Sequence, residues 1–166
     1  MLLYHHDQQP TILYNDIPPL ELQKQIDAFV AGAFLLDPFY RAAVDNHVSG
    51  LHRLSDLAPS GFEKTEYYRS YFKYTEIKDE VGFIIQLSAH QFINISMGRL
   101  TFSQRFNSTH ISMFEDIVEV IETICRLQWA TDNESRQAPT SKLPGQLDSA
   151  LKHFGTAYLT DRETQV

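Results

Sequence analysis

Val81-Gly82-Phe83-Ile84-Ile85-Gln86-Leu87, Ser88-Ala89-His90-Gln91, Phe92-Ile93-Asn94-Ile95-Ser96-Met97: this stretch decides the fold. Its first and third parts are rich in β-branched and aromatic residues, which fit a pleated, half-buried surface. The four residues between them are short enough to close an antiparallel hairpin. A sheet is therefore expected at the centre of the chain, and helical patterns stand on both sides of it in sequence. Upstream, Glu63–Tyr74 reads as a helix crowded with Tyr67, Tyr68, Tyr71, Phe72 and Tyr74. Downstream, Ile111–Trp129 reads as the longest helix, because Phe114, Ile117, Val118, Ile121, Ile124, Cys125 and Gln128 follow a 3.6-residue period while Glu115, Asp116, Glu119 and Glu122 fill the other side.

Towards the N-terminus, Leu2–His5 and Thr11–Tyr14 are β-prone runs separated by the turn-forming Asp7-Gln8-Gln9-Pro10. Asp16-Ile17-Pro18-Pro19 opens a helix that carries Leu22, Ile26, Phe29 and Val30 and stops at Gly32. Leu35–Val44 restarts at Asp37-Pro38, where the aspartate suits an N-cap, and Leu51–Leu54 reads as a short strand. Helices before, between and after antiparallel hairpins predict an α+β fold, a sheet flanked by helices on at least one face. Sensor folds of the GAF and PAS kind share that plan.

Composition narrows the function. At 166 residues and 43% hydrophobic, the chain suits one domain with a sizeable core plus a tail. A net charge of −7 makes these residues a poor surface for phosphate backbones. One cysteine, Cys125, excludes an internal disulfide framework and suits a reducing compartment. With no long apolar run and no basic leader in the first residues, a cytoplasmic location with no membrane contact is expected. The seven histidines include no H-x-H or H-x-x-x-H pair, so no metal site is expected. P-loop, G-x-G-x-x-G, G-x-S-x-G and H-E-x-x-H patterns are all absent, and neither a cofactor nor catalysis is expected.

After Trp129 the composition changes. Thr131–Pro144 is polar and proline-bearing, as a linker is, and Leu147, Leu151 and Phe154 then space out a short amphipathic helix. The expected division is a sensor or dimerisation domain over 1–130, a linker over 131–146, and a connector helix with the opening of another domain over 147–166. That opening is Leu159-Thr160-Asp161-Arg162-Glu163-Thr164-Gln165-Val166. Thr160 and Glu163 form a T-x-x-E capping box, and Asp161 and Glu163 place negative charge where the helix dipole favours it.

This segment resembles the start of the helix-turn-helix domain in LuxR-type transcriptional regulators, whose pattern L-T-x-R-E-x-x-V is matched by Leu159, Thr160, Arg162, Glu163 and Val166. A second resemblance lies in Phe34-Leu35-Leu36-Asp37-Pro38-Phe39-Tyr40-Arg41-Ala42-Ala43, similar to the D-P motif of the GAF-like sensor domains of the same regulators. It runs on through Glu66-Tyr67-Tyr68-Arg69-Ser70-Tyr71 and Glu80-Val81-Gly82-Phe83. The resemblance implies a sensor domain that controls a DNA-binding domain continuing past Val166, with DNA reached only through that domain. In the acyl-homoserine-lactone branch the D-P aspartate accepts a hydrogen bond from the ligand amide, a role Asp37 would inherit. The sequence departs from that branch: residues 20–34 contain neither tryptophan nor tyrosine, and the only tryptophan is Trp129.

A small ligand is accordingly expected between the strand Val81–Leu87 and the helices carrying Asp37, Tyr40, Tyr67 and Tyr71, with Phe83 contributed by the strand. The competing account makes Asp37 a plain helix cap and the tyrosines plain core. Its functional counterpart is a ligand-free dimerisation scaffold of a transcription factor. A homodimer through Ile111–Trp129 is expected on either account, because Ile117, Val118, Val120, Ile121, Ile124 and Leu127 span a wider apolar arc than one sheet contact needs.

Overall fold

The central hairpin forms as the alternation demands. Strands β4 (Ile77–Ser88) and β5 (Gln91–Leu100) pair antiparallel around a two-residue turn, with Gly82 opposite Ser96 and Ile84 opposite Asn94. In the computed structural model, residues 1–6, 8–17 and 19–130 are described, residues 19–24 by backbone alone. β1 (Leu2–His5) pairs with β5, β2 (Thr11–Ile12) with β1, and β3 (Gly50–Arg53) with β4. The result is an open five-stranded antiparallel sheet in the order β2-β1-β5-β4-β3. The expected linker, the amphipathic segment and the L-T-x-R-E-x-x-V segment lie outside the described residues.

Both faces of the sheet are covered, so the fold is a sheet between two helix layers. Helices α1 (Pro19–Ala31), α2 (Pro38–Asp45), α3 (Leu54–Leu57) and α4 (Glu66–Ser70) belong to one side. There Phe29, Phe34, Phe39, Tyr40 and Tyr67 pack with Tyr4, Ile84 and Phe92 of the strands. On the other side lie α5 (Ser108–Glu115) and α6 (Val118–Trp129), with Phe114, Val118, Ile121 and Cys125 against Leu3, Phe83, Ile85 and Ile93. Period-two alternation explains this split, since neighbours along β4 and β5 point to opposite faces.

Two helices expected as single pieces are broken. Glu63–Tyr74 is a 3₁₀ turn (Phe62–Lys64), then α4, then a second 3₁₀ turn (Phe72–Tyr74). Thr65 caps α4 by accepting the Tyr68 N–H, and Tyr71, at φ −131° and ψ −67°, leaves the helical region and ends it. The break keeps Tyr67 and Phe72 both buried and leaves Tyr74 exposed. Ile111–Trp129 is interrupted at Asp116-Ile117. Acidic Glu115 and Asp116 at the end of α5 oppose the negative pole of the helix dipole, and the β-branched pair Ile117-Val118 lowers helix propensity at the same point.

A buried carboxylate ties the second layer to the sheet. Asp79 of β4 accepts the Phe106 N–H at 2.8 Å and lies 3.4 Å from Arg53 Nη2 of β3 and 3.9 Å from Arg105 Nη1. Arg53 also donates to the Phe106 carbonyl at 3.1 Å. The contact fixes the connection between β5 and α5 on the sheet, where Phe106 and Phe114 meet at 5.8 Å between ring centres.

Candidate functional site

Asp37 is held by backbone geometry on both sides. Its own N–H closes the 3₁₀ turn Ala33–Leu36 by donating to the Phe34 carbonyl at 3.1 Å. Its carboxylate then caps α2 by accepting the Phe39 N–H at 3.0 Å, and Pro38 fills the first helical position where no N–H is needed. The side chain is 5% exposed. One further contact sets the depth of this corner. The Phe39 ring lies on Gly82 of β4, so closely that a Cβ at Gly82 would come within 2.8 Å of Phe39 Cε1 and 2.9 Å of Asn94 Oδ1.

Glu80, Gly82 and Ile84 share this face of β4, and their neighbours Asn94 and Ser96 on β5 share it too. Asn94 Nδ2 donates to Ser96 Oγ at 3.4 Å, and Ser96 Oγ donates to Glu80 Oε1 at 2.6 Å. Asn94 is 3% exposed and Tyr4 1%, yet Asn94 Oδ1 and the Tyr4 hydroxyl have no hydrogen-bond partner among the described residues. Buried polar atoms are nearly always satisfied; Arg53 Nε and Arg99 Nε are orphans on the other face, Gln91 Oε1 is one beside the histidine-lined crevice, and these two are orphans on this face. Around them stands an aromatic wall: Tyr67 and Tyr71 at 5.5 Å, Tyr4 and Tyr40 at 5.4 Å, and Tyr4 stacked on Phe92 at 4.6 Å.

Electrostatics mark the same place. Burial pushes the Asp37 carboxyl well above its ordinary range, the negative charge of Glu80 pushes it further, and the Phe39 N–H offsets part of this. Glu80 is raised by burial and by Asp79, and lowered in part by the Ser96 hydroxyl. The phenols of Tyr4 and Tyr67 are raised by burial first and then by Asp37 and Glu80, and Tyr71 by burial, Glu80 and Asp37. Among the described residues no ion pair includes Asp37 or Glu80.

Of the five residues singled out in the sequence, Asp37, Tyr40, Tyr67 and Tyr71 come together on this side of the sheet. Phe83 does not: it points to the opposite face, 6.2 Å from Phe114. Phe83 and Gly82 are neighbours in one strand, and neighbours alternate. Tyr4, Glu80, Asn94 and Ser96 were not singled out. The polar residues at alternate positions, Asn94 and Ser96 in an otherwise apolar strand, were the available signal. His6 and His90, distant in sequence, meet at 5.5 Å between rings beside a crevice of about 30 Å³ that is also lined by His47 and Gln91. Among the described residues no group of three His, Cys, Asp or Glu side chains is placed to hold a metal ion. No helix among them is long and apolar enough to cross a membrane.

The raised carboxyls make stability depend on pH with a definite sign. A carboxyl that binds its proton more tightly when folded stabilises the native state below the ordinary carboxylate range, and that contribution is lost as pH rises through the folded value. The melting temperature should therefore fall from about pH 4 towards about pH 8 by more in the parent than in Glu80→Gln, which carries no titrating group at this position. Thermal denaturation across that range checks it, and identical slopes for both proteins would refute it.

No protein-family model and no curated protein matches the sequence. Among solved structures, the chain is similar to the crystal structure of the VqsR LBD domain from Pseudomonas aeruginosa. The two share 28% sequence identity and a TM-score of 0.62, over 77% of this chain and 75% of that one. This likeness supports reading the chain as a regulatory sensor domain.

Proposed function

We propose that this is the sensor domain of a LuxR-type transcriptional regulator, which binds a small ligand on the Asp37 face of the sheet and thereby controls a helix-turn-helix domain. The observation that carries the reading is the polar floor of Asp37, Glu80 and Asn94, walled by Tyr4, Tyr40, Tyr67 and Tyr71. An apolar wall with a few oriented polar groups is what small-molecule sites are made of. A ligand that pairs Asn94 Oδ1 and the Tyr4 hydroxyl would recover on the order of 1–3 kcal/mol for each. The L-T-x-R-E-x-x-V segment and the likeness to the VqsR LBD domain support the regulatory part. The reading takes the domain as non-catalytic and cytoplasmic, with DNA reached only through the helix-turn-helix domain.

The mechanism follows from where the site lies. A ligand shifts the regulator between two arrangements only by binding one of them more tightly. Groups on α2, α4, β4 and β5 converge on the site, so occupancy fixes the mutual position of these elements. Asp37→Ala should remove about 1–3 kcal/mol of ligand binding, roughly 5- to 150-fold in the concentration needed for half-response. A transcriptional reporter driven by the full-length regulator measures this, with unfolding curves as the control for stability. Unchanged sensitivity in Asp37→Ala would refute the assignment.

We further propose a homodimer through α5 and α6. The apolar arc of this region divides: Val118 and Ile121 turn to the sheet, while Met113, Ile117, Val120, Ile124 and Leu127 stay exposed, Leu127 at 75%. Val120, Ile124 and Leu127 lie on α6 at spacings of four and three residues, as on a coiled-coil seam, and a second copy offers the complementary stripe about a two-fold axis. Ile124→Glu should raise the dimer dissociation constant by at least about tenfold, which is about 1.4 kcal/mol. Sedimentation equilibrium reads this directly; a parent protein that stays monomeric at high micromolar concentration would rule the dimer out.

A further inference from the structure

The donors and acceptors of the site constrain what it holds. Asn94 spends a donor on Ser96, and Ser96 spends its only donor on Glu80. Beside the second N–H of Asn94, what these three side chains still offer is acceptors: Asn94 Oδ1, which has no partner among the described residues, and the Glu80 carboxylate. Asp37, 5% exposed, adds a carboxylate whose one hydrogen bond among the described residues comes from its own helix at Phe39. No ion pair among the described residues includes either of these two carboxylates. A buried charge is ordinarily paired, and Asp37, buried beside the half-buried Glu80, would gain from a cation.

Resting on the reading of this face as the ligand site, we propose that the ligand is an organic cation, with a protonated amine or amidine seated between Asp37 and Glu80. Such a group supplies donors to Asn94 Oδ1 and the two carboxylates, and positive charge where the floor is negative. The phenol and phenyl rings of Tyr4, Tyr67, Tyr71 and Phe39 around the floor suit the methylenes or aromatic body attached to it, and their faces attract a cation further. An anionic ligand would meet two carboxylates. A neutral amide would satisfy the acceptors and leave the charge uncompensated. The net charge of −7 favours the approach of a cation as well.

The test uses the full chain and three probes of one size: phenethylammonium, neutral 2-phenylethanol and anionic phenylacetate. Binding is followed by amide chemical shifts of β4, β5 and the segment around Asp37. The ammonium should bind in the millimolar range and the other two at least about tenfold more weakly, a difference of about 1.4 kcal/mol. Glu80→Gln should remove that preference while leaving the alcohol unaffected. Glu80→Lys, which carries its own cation to Asp37, should abolish ammonium binding and raise the melting temperature of the empty protein. A shift spectrum like the parent's shows that each variant is folded, and should Glu80→Gln fail that check, Glu80→Lys decides. If the alcohol binds at these residues as tightly as the ammonium, the cation is refuted while the ligand site stands. If no probe shifts these amides, or if the ammonium binds the folded variants as it binds the parent, the cation is refuted as well. The sensor reading itself falls only with the response of Asp37→Ala.

Discussion

The Phe39 ring seated on Gly82 is the contact on which the rest of the structure depends. It brings the first turn of α2 down onto β4 at a depth no other residue at position 82 would permit, because the space of a Cβ is taken by the ring on one side and by Asn94 Oδ1 on the other. The peptide that carries this ring also carries the N–H capped by Asp37. Seating the ring therefore places the carboxylate over the floor formed by Glu80, Asn94 and Ser96. Burial of a phenylalanine contributes on the order of 2–3 kcal/mol, enough to hold a carboxylate where solvation alone would not leave it.

From that contact the two faces of the sheet acquire different tasks. The face under α5 and α6 is apolar at Leu3, Phe83, Ile85 and Ile93, and its polar tie, Asp79, is satisfied by the Phe106 N–H and Arg53. Arg53 Nε and Arg99 Nε are left without partners on this side, and Ile124 and Leu127 are exposed on the outside of the helices. Under α2 and α4, Asn94 Oδ1 and the Tyr4 hydroxyl lack partners among the described residues, beneath a wall of rings. One sheet thus separates a layer tied by Asp79 from a layer of rings around Asp37.

Much of this was legible in the sequence, and the exceptions have physical causes. The hairpin around Ser88–Gln91, the N-terminal hairpin and the cap at Asp37 followed from alternation, turn residues and D-P spacing, all of which are local. The tyrosine-rich segment and Ile111–Trp129 carried helical periodicity, but tertiary packing broke both. A 3.6-residue pattern records which residues are apolar, not whether Tyr71 leaves the helical region. The site was half legible for the same reason. Asp37 and the tyrosines stand out by type, whereas Glu80 and Asn94 matter only because register places them on the face that Phe39 covers. Phe83 shows the opposite error, a residue of suitable type one position out of phase.

The contact between ring and glycine can be weighed directly by a double-mutant cycle in chemical denaturation with Gly82→Ala and Phe39→Leu. Gly82→Ala alone should cost about 1–3 kcal/mol, as overfilling a packed interface does. With Phe39→Leu in place the added methyl should cost less, giving a coupling of at least about 0.5 kcal/mol. A Gly82→Ala protein within about 0.5 kcal/mol of the parent, with no coupling to position 39, would mean that the ring does not rest on the strand and that Asp37 is not held over the floor.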